Sequence, residues 1–578
     1  MTVINMDKQE LVQILNEIGL LLELKGENPF KIKAYYQAAR TLDALTDDLE
    51  TLIREGRVGE LPGFGEALVQ KVDEWYRTGT VQYYENLKAD IPPGLIDMLR
   101  VPGLGAKKVS VLYQTLGIAG LDQLEAACRE NRLVALSGFG AKTQLKILAG
   151  IEFIKEHSRE FLLADAWQQA ISLLQMLTEE PDVVQVEIAG SLRRFKETVK
   201  DIDLVASSEH PESLIRRFSR YTGIQHVVSS GPTKVSVILE SGLGCDLRVV
   251  APCEFVHTLQ HFTGSKEHNT ALRHRAKALG YKVNEYGLFR GDTPEYCETE
   301  EEIYQKLGLS WIPLELREDR GEIEAAAQGR LPKLIEPEEL SGIFHVHTHA
   351  SDGTASIREM AEQAMALGYS YLGIADHSQS AFYAHGLSPE RLMRQFEEID
   401  RLNAEYPGFK IFKGIEADIL ADGRLDYDDE LLAQCDFVIG SVHSRFKMDK
   451  AEMTARILRA MENPYLTMLG HPTGRILLQR PEYPLDLDAV LAQAARCGVI
   501  LEFNANPNRL DLDWRWCRKA KELGVMIAVN PDAHTPADLD LARFGLMIAR
   551  KGWLEKADVF NSRSAAEVEV YFEARRQR

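Results

Sequence analysis

The sequence predicts a multidomain chain: helical at the front, mixed helix and strand in the middle, and a β/α barrel at the back. Three observations predict it. A glycine hairpin phrase recurs three times before residue 160, strand-like runs frame an Asp-x-Asp pair near residue 200, and beyond residue 340 apolar runs alternate with helical stretches. At 578 residues the chain is too long for one hydrophobic core. Its 45% apolar and 27% charged content is ordinary for a globular protein, and no apolar run approaches the ~20 residues that span a bilayer. The amino terminus, MTVINMDKQE, lacks a basic head followed by an apolar core, so no secretory leader is expected. Seven cysteines with no C-x-x-C pair argue against a disulfide framework or a thiolate zinc site, and predict reduced thiols in a cytoplasm. The net charge of −20 disfavours broad attraction to nucleic acid but leaves room for a local basic groove, since salt screens distant charges.

The repeated phrase is LPGFGEALVQKV from Leu61, VPGLGAKKVSVLY from Val101 and LSGFGAKTQLKIL from Leu136. Each sets two glycines one residue apart before a helical pattern: Gly63 and Gly65, Gly103 and Gly105, Gly138 and Gly140. Glycine permits the positive φ of a tight hairpin, and the turn then offers backbone N–H groups at a helix start, where a phosphate oxygen fits. The pattern resembles the helix-hairpin-helix element, which grips a DNA backbone without reading sequence. Lys107, Lys108, Lys142 and Lys146 follow the second and third turns, where they can supplement the amides.

Between Val183 and Ser207 the chain reads VVQVEIAGSLRRFKETVKDIDLVAS. VVQVEIA alternates as a strand, GS opens a phosphate-sized turn, and DIDLV is a second strand placing Asp201 and Asp203 on one face. Two neighbouring carboxylates repel unless a cation sits between them, and magnesium suits carboxylate plus phosphate oxygens. CDLRVV supplies a third carboxylate, Asp246. This set, with HFTGSKEHNTALRHRAKALGYKVNEYGLF (261–289), resembles the palm and thumb of the family X DNA polymerases typified by polymerase beta. The resemblance spans roughly residues 1–315. It implies an α+β nucleotidyltransferase palm with Asp201, Asp203 and Asp246 holding two magnesium ions for nucleotide transfer. It implies that Ser191 and Arg194 contact the triphosphate, Phe262 and Gly264 line the sugar pocket, and Asn269 and Arg273 touch the nucleotide and nascent pair. Lys266 and His261 depart from the animal enzyme, which has an acidic residue and a tyrosine there. The front domain resembles the part of polymerase beta that removes a deoxyribose phosphate; the match puts Lys71 at the Schiff-base position with Tyr35 and Lys31 nearby, while Ala67 replaces a lysine.

Beyond residue 316, REDRGEIEAAAQGRLPKLIEPEELSG is charged and proline-punctuated, which predicts a linker. Eight of the 15 histidines follow it: His345, His347, His349, His377, His385, His443, His471 and His534. They fall in HVHTHASDG, LGIADHS, YAHGLS, FVIGSVHS, TMLGHPT and IAVNPDAH, mostly at ends of apolar runs, and FKGIEAD adds a carboxylate. A rhythm of strand, ligand loop and helix predicts parallel strands closing into a barrel with its function at one rim. Clustered imidazoles and carboxylates suit zinc, manganese or iron, and so many imply more than one ion. The set resembles the polymerase and histidinol phosphatase (PHP) domain, a distorted (β/α)7 barrel with a trinuclear centre, which bacterial family X polymerases carry at their carboxyl end. By that resemblance the ligands are His345, His347, Asp352, His377, Glu416, His443, His471, Asp532 and His534, holding up to three Mn2+ or Zn2+ ions. His349 shares the strand face of His345 and His347 but lies outside the ligand set, and His385 stands on a substrate loop. Arg445, Arg475 and Arg509 follow ligand segments or strand ends, where they can take phosphates.

The expected divisions are a lyase-like domain (1–80), a second hairpin domain (81–160), palm (161–260), thumb (261–318), linker (319–340) and PHP domain (341–578). The expected function is a cytoplasmic, monomeric repair polymerase that fills gaps. It takes gapped or primer-template DNA and dNTPs, binds no membrane, and carries a metal-dependent 3′-5′ exonuclease. Further expected activities are 3′-phosphatase or phosphodiesterase, incision at abasic sites and the lyase. The rival is a PHP-type phosphoesterase with a non-catalytic DNA-binding front half, against which the complete Asp201, Asp203 and Asp246 set argues. The complete ligand sets equally disfavour a non-catalytic scaffold, and the hairpins and thumb disfavour a template-independent transferase.

Overall fold

The computed structural model describes residues 8–43, 45, 49–99, 101, 103–157 and 160–576. The chain divides into two compact units, Met1–Ser158 and Arg159–Arg578.

The first unit is helical. Its helices Lys8–Lys25 and Pro29–Asp43 pack on each other, and Glu66–Thr78, Ala106–Leu116 and Ala141–His157 each follow one of the three glycine turns. The turns share one backbone feature: Gly63, Gly103 and Gly138 have φ of 87°, 88° and 86°. That region is closed to most L-residues. Gly65 and Gly105 then sit at the N-caps in extended backbone. The apolar residues between the glycines, Phe64, Leu104 and Phe139, are buried in the unit's core and anchor each hairpin.

The second unit begins with a five-stranded mixed sheet. Gln185–Ile188 runs antiparallel to Asp201–Ser207, which pairs in parallel with Gly244–Val250; Lys234–Leu239 and Ile224–Ser230 complete it antiparallel. Asp203 and Asp246 are direct Cα partners across the parallel pair. A helical segment with a three-stranded sheet follows, from Phe255 to Glu295.

The carboxyl-terminal part is a seven-stranded, all-parallel sheet in sequential order: Gly342–Val346, Tyr371–Ile374, Lys410–Asp418, Phe437–Ser441, Met468–Leu469, Ile500–Asn504 and Ile527–Asn530. The first and last edges meet through the Val346–Ala533 bridge and a 2.8 Å bond from the His347 N–H to the Ala533 carbonyl, so the sheet nearly closes. Inside, Phe344, Phe412 and Phe437 pack with Phe572 of the helix Ala565–Arg576. Gly373 and Gly414 leave the room these rings need, because a Cβ at either would strike Phe437.

Two expectations change here. Residues 319–340 are not a free linker: they carry the helix Glu322–Ala327, Ile335 is fully buried, and its N–H donates to the Leu554 carbonyl at 3.1 Å. The three alternate histidines do not share a strand face. The strand stops at Val346 and its register shifts around His345 (φ 58°), so His347 lies past the strand and His349 is exposed.

Candidate active sites

The barrel gathers all nine residues expected as ligands at one rim. Four overlapping groups have ligand atoms within 4.8 Å of one another: His347, Asp352, His377 and His534; His345, His471 and Asp532; His345, His347 and Glu416; His377, Glu416 and His443. Glu416 is the hub, with His377 Nδ1 at 2.8 Å, His345 and His471 Nε2 at 3.2 Å, and His443 Nε2 at 3.3 Å. Asp532 lies 3.3 Å from His347 Nε2, and Asp352 lies 3.4 Å from His534 Nε2.

The cluster is built for cations. His347 Nδ1 and His471 Nδ1 are buried without a hydrogen-bond partner, and His345 Nε2, His347 Nε2 and His377 Nδ1 approach Glu416 or Asp532 without making a hydrogen bond. Orphaned buried polar atoms of this kind are costly, and a shared metal resolves them together. Burial lowers His377, but Glu416 and Asp352 outweigh it and raise it to about 11; His443 is likewise raised to about 9 by Glu416 and Asp418 against burial. His471, which burial and Arg509 oppose charging, is lowered to about 4. Three of the residues expected as ligands, His345, His471 and Asp532, hold positive φ (58°, 24° and 52°), backbone strain of a sort that concentrates at functional sites.

A ring of carboxylates outside the ligand set was not foreseen. His345 Nδ1 meets Glu502 Oε1 at 2.5 Å, and Glu502 also accepts from the His471 N–H (2.7 Å) and from Asn530 and Asn504. His443 Nδ1 meets Asp418 at 2.6 Å. Asp376 holds the ligand loop by accepting from the Thr348 N–H and hydroxyl, both at 2.7 Å. The acids in ILEFN, FKGIEAD and LGIADHS are the available signal: each is a charge inside an apolar run, which needs a buried partner.

Among the arginines, Arg509 lies 3.6 Å from Asp532, and Arg445 is exposed. Arg475 is buried, pairs with Asp513 at 2.8 Å and donates to the Arg509 carbonyl, so it is committed to structure rather than phosphate.

In the palm, Asp201, Asp203 and Asp246 share one edge but do not close into a 4.8 Å group. The Lys234 ammonium sits 2.6 Å from Asp246, giving the cluster one cation of its own. Burial, then Asp201 and Asp246, push Asp203 up to about 7; burial and Asp246 also raise Asp201. These repelling oxygens fit a divalent ion, which would restore the charged form of each. Gly190 (φ 65°) lets the GSLRR turn approach so closely that a Cβ there would strike the Asp203 carboxylate.

The residues expected at the nucleotide are mostly engaged with neighbouring side chains and carbonyls. Arg194 bonds the Thr263 carbonyl and, at 3.2 Å, Glu318; Gly264 lies beside it, and a Cβ there would come within 3.0 Å of its guanidinium. Phe262 is covered by the Arg248 guanidinium at 4.4 Å. Asn269 is buried, accepts from Gln260 (2.9 Å) and donates to the His261 carbonyl (2.7 Å). Arg273 is exposed and Ser191 half-buried in the turn.

In the first unit, Lys71 lies over the Tyr83 ring at 4.8 Å and Lys31 over the same ring at 5.6 Å; Tyr35 stacks on Tyr83. Burial lowers the Lys71 pKa, and Lys31 adds to the lowering while Glu74 opposes it. Lys107, Lys142 and Lys146 are exposed, whereas Lys108 donates to the Gly103 carbonyl at 3.2 Å. No described helix is long and apolar enough to cross a membrane.

Comparison with known families follows this layout. Residues 6–81 match a helix-hairpin-helix domain, 95–152 a SAM-like helix-hairpin-helix tandem, 258–318 the DNA polymerase beta thumb and 344–506 the PHP domain. The chain belongs to the family X DNA polymerases that carry a carboxyl-terminal PHP domain. A Bacillus subtilis (strain 168) protein named DNA polymerase/3'-5' exonuclease PolX is 40% identical over 570 residues, 98% of this chain and 99% of that protein. A probable phosphatase of Thermoanaerobacter sp. (strain X514) is 28% identical over 249 residues, 41% of this chain and 96% of its own length.

Proposed function

We propose that the chain is a DNA-templated polymerase and 3′-5′ exonuclease that fills gaps and cleans 3′ ends in DNA repair, working as a cytoplasmic monomer. One observation supports the reading: two chemically different sets of side chains suited to cations stand in one compact unit, three carboxylates in the palm and nine histidines and acids in the barrel. An appendage needs neither.

Hard oxygen donors favour magnesium in the palm, and imidazole-rich groups favour manganese or zinc in the barrel. Bound there, such ions supply charge neutralisation and a readily ionised hydroxyl or water. The protein supplies the rest. Asp203 and Asp246 stand side by side on paired strands, where they would hold an ion against primer and nucleotide oxygens. Ser191 and the turn at Gly190 receive the triphosphate, with Arg194 released toward it from Glu318. In the barrel, Arg509 beside Asp532 orients the scissile phosphate. The same centre then serves 3′-phosphatase, phosphodiesterase and abasic-site incision, all of them phosphoester hydrolyses. The hairpin glycines of the first unit hold the duplex. Lys71, with its lowered pKa and cationic neighbour, is the lyase nucleophile.

A primer-template with a one-nucleotide gap separates the activities. Asp203→Ala is expected to lower extension more than about 100-fold and spare shortening, and His347→Ala to do the reverse, as for loss of a metal ligand. Loss of both activities in either variant would overturn separate sites, and a phosphoesterase with a passive front half would show no extension at all.

A further inference from the structure

The turn after the ligand His377 presents two aromatic rings to solvent. Phe382 is 82% exposed and Tyr383 61%, which makes Phe382 the most exposed aromatic side chain among the described residues of the second unit. The turn itself is well tied. Ser378 N–H donates to the Glu416 carbonyl at 3.0 Å, Leu387 N–H to the His377 carbonyl at 2.8 Å, and Ser380 N–H to Asp426 at 2.8 Å. Ala381 and Ala384 point inward and are buried. Small residues therefore take the buried positions of a fixed turn, while the two large rings, 6.2 Å apart, take the outer ones.

The rings also begin at the metal-binding rim. Tyr383 lies 6.5 Å from the His377 imidazole, and partial burial of its hydroxyl, then Asp418, Glu416 and Asp352, raise its pKa. Tyr383 thus stands beside the ligand cluster, and Phe382 stands next to it with the two rings edge to face. Leaving this apolar area in water costs roughly 25 cal/mol per Å2, and two rings fall far short of the ~1,200 Å2 of a stable protein interface. A nucleobase is a flat partner of matching size, and stacking on an aromatic side chain is worth about 1–3 kcal/mol per base. A paired terminal base keeps its own stacking, so an unpaired one is the natural occupant.

We infer that Phe382 and Tyr383 form a stacking platform for the unpaired terminal base of a 3′ strand, seating its last phosphodiester in the barrel's metal centre. The platform deepens the exonuclease reading and rests on it.

The test compares shortening of a single-stranded oligonucleotide with an ordinary 3′ nucleotide against the same strand ending in an abasic residue. The Phe382→Ala, Tyr383→Ala double variant is expected to lose about tenfold or more in kcat/KM on the ordinary end, and to stay within about twofold of the parent on the abasic end. Phe382→Trp should retain the parent preference, and gap extension and bound-metal content should not change. Undiminished shortening in the double variant, or an equal loss on both strands, would overturn the platform. Irradiation with a 3′-terminal 5-iododeoxyuridine strand, under chelation, separates this inference from the one beneath it. An adduct at Phe382 or Tyr383 in a protein that shortens no DNA would sink the exonuclease and keep the platform; active shortening with no adduct there would sink the platform alone.

Discussion

Glu502 sets the orientation of a ring it does not share with solvent. It is fully buried, and four groups converge on it: His345 Nδ1, the His471 N–H and the amides of Asn504 and Asn530. With Nδ1 bound there, His345 can offer only Nε2 to the interior of the cluster, beside Glu416. Such outer carboxylates fix the tautomer and raise ligand basicity, and their loss typically costs 10–100-fold in metal affinity. Glu502→Gln keeps the volume and removes the charge. The expected outcome is a 10–100-fold weaker hold on manganese or zinc with a parallel fall in shortening, while gap extension is unchanged. Elemental analysis after graded dialysis, alongside both activity assays, checks it; undiminished metal content would show that Glu502 serves packing alone.

Each hairpin uses its two glycines for different reasons. At Gly103 the φ of 88° excludes other residues at a cost of roughly 1–2 kcal/mol, whereas Gly105 has ordinary φ (−83°) and open space around the position of a Cβ. Gly103→Ala is therefore expected to destabilise the first unit by that amount. Gly105→Ala should leave Tm unchanged, yet weaken duplex binding about fivefold by placing a methyl where a phosphate approaches, about one hydrogen bond's worth. Thermal melts and binding at fixed salt distinguish the two; equal effects on stability would remove the case for phosphate contact. The hairpins could be read from the sequence because turn and helix start lie within a dozen residues. The histidines and acids that the barrel brings together could be read because most of them stand in or just after apolar runs. What escaped is long-range. His345 and Glu502 are 157 positions apart, and no local periodicity pairs them. The strand-face expectation for His345, His347 and His349 failed at one positive φ, and the expected linker found its partners near Leu554 and Glu555, more than 200 positions away.

Across the whole second unit, ion pairs of varied burial link the palm and thumb segments to the barrel. Glu197 of the palm meets Arg515 at 2.7 Å, Glu315 meets Arg550 at 3.0 Å, and Trp553 packs in the thumb core. Lys551 is the deepest of these links. It is 1% exposed, and its ammonium donates to the Arg194 carbonyl at 2.8 Å and to Glu318 at 2.7 Å, the same Glu318 oxygen that Arg194 reaches at 3.2 Å. Burial lowers its pKa and Glu318 pulls it back. A barrel residue thus competes with the proposed triphosphate arginine for one carboxylate and steadies the turn that carries it. Without the ammonium, Glu318 would hold Arg194 alone and draw it from the nucleotide. Lys551→Met is accordingly expected to raise the KM for nucleotide about tenfold or more, the effect of one hydrogen bond to a charged group (~1.5 kcal/mol), with kcat less affected and shortening preserved. Steady-state gap filling over a range of nucleotide concentrations reads this split, and a melt confirms that the variant is folded. An unchanged KM in a folded variant would mean that the barrel supports the palm only mechanically, and that nucleotide binding is set within the polymerase half.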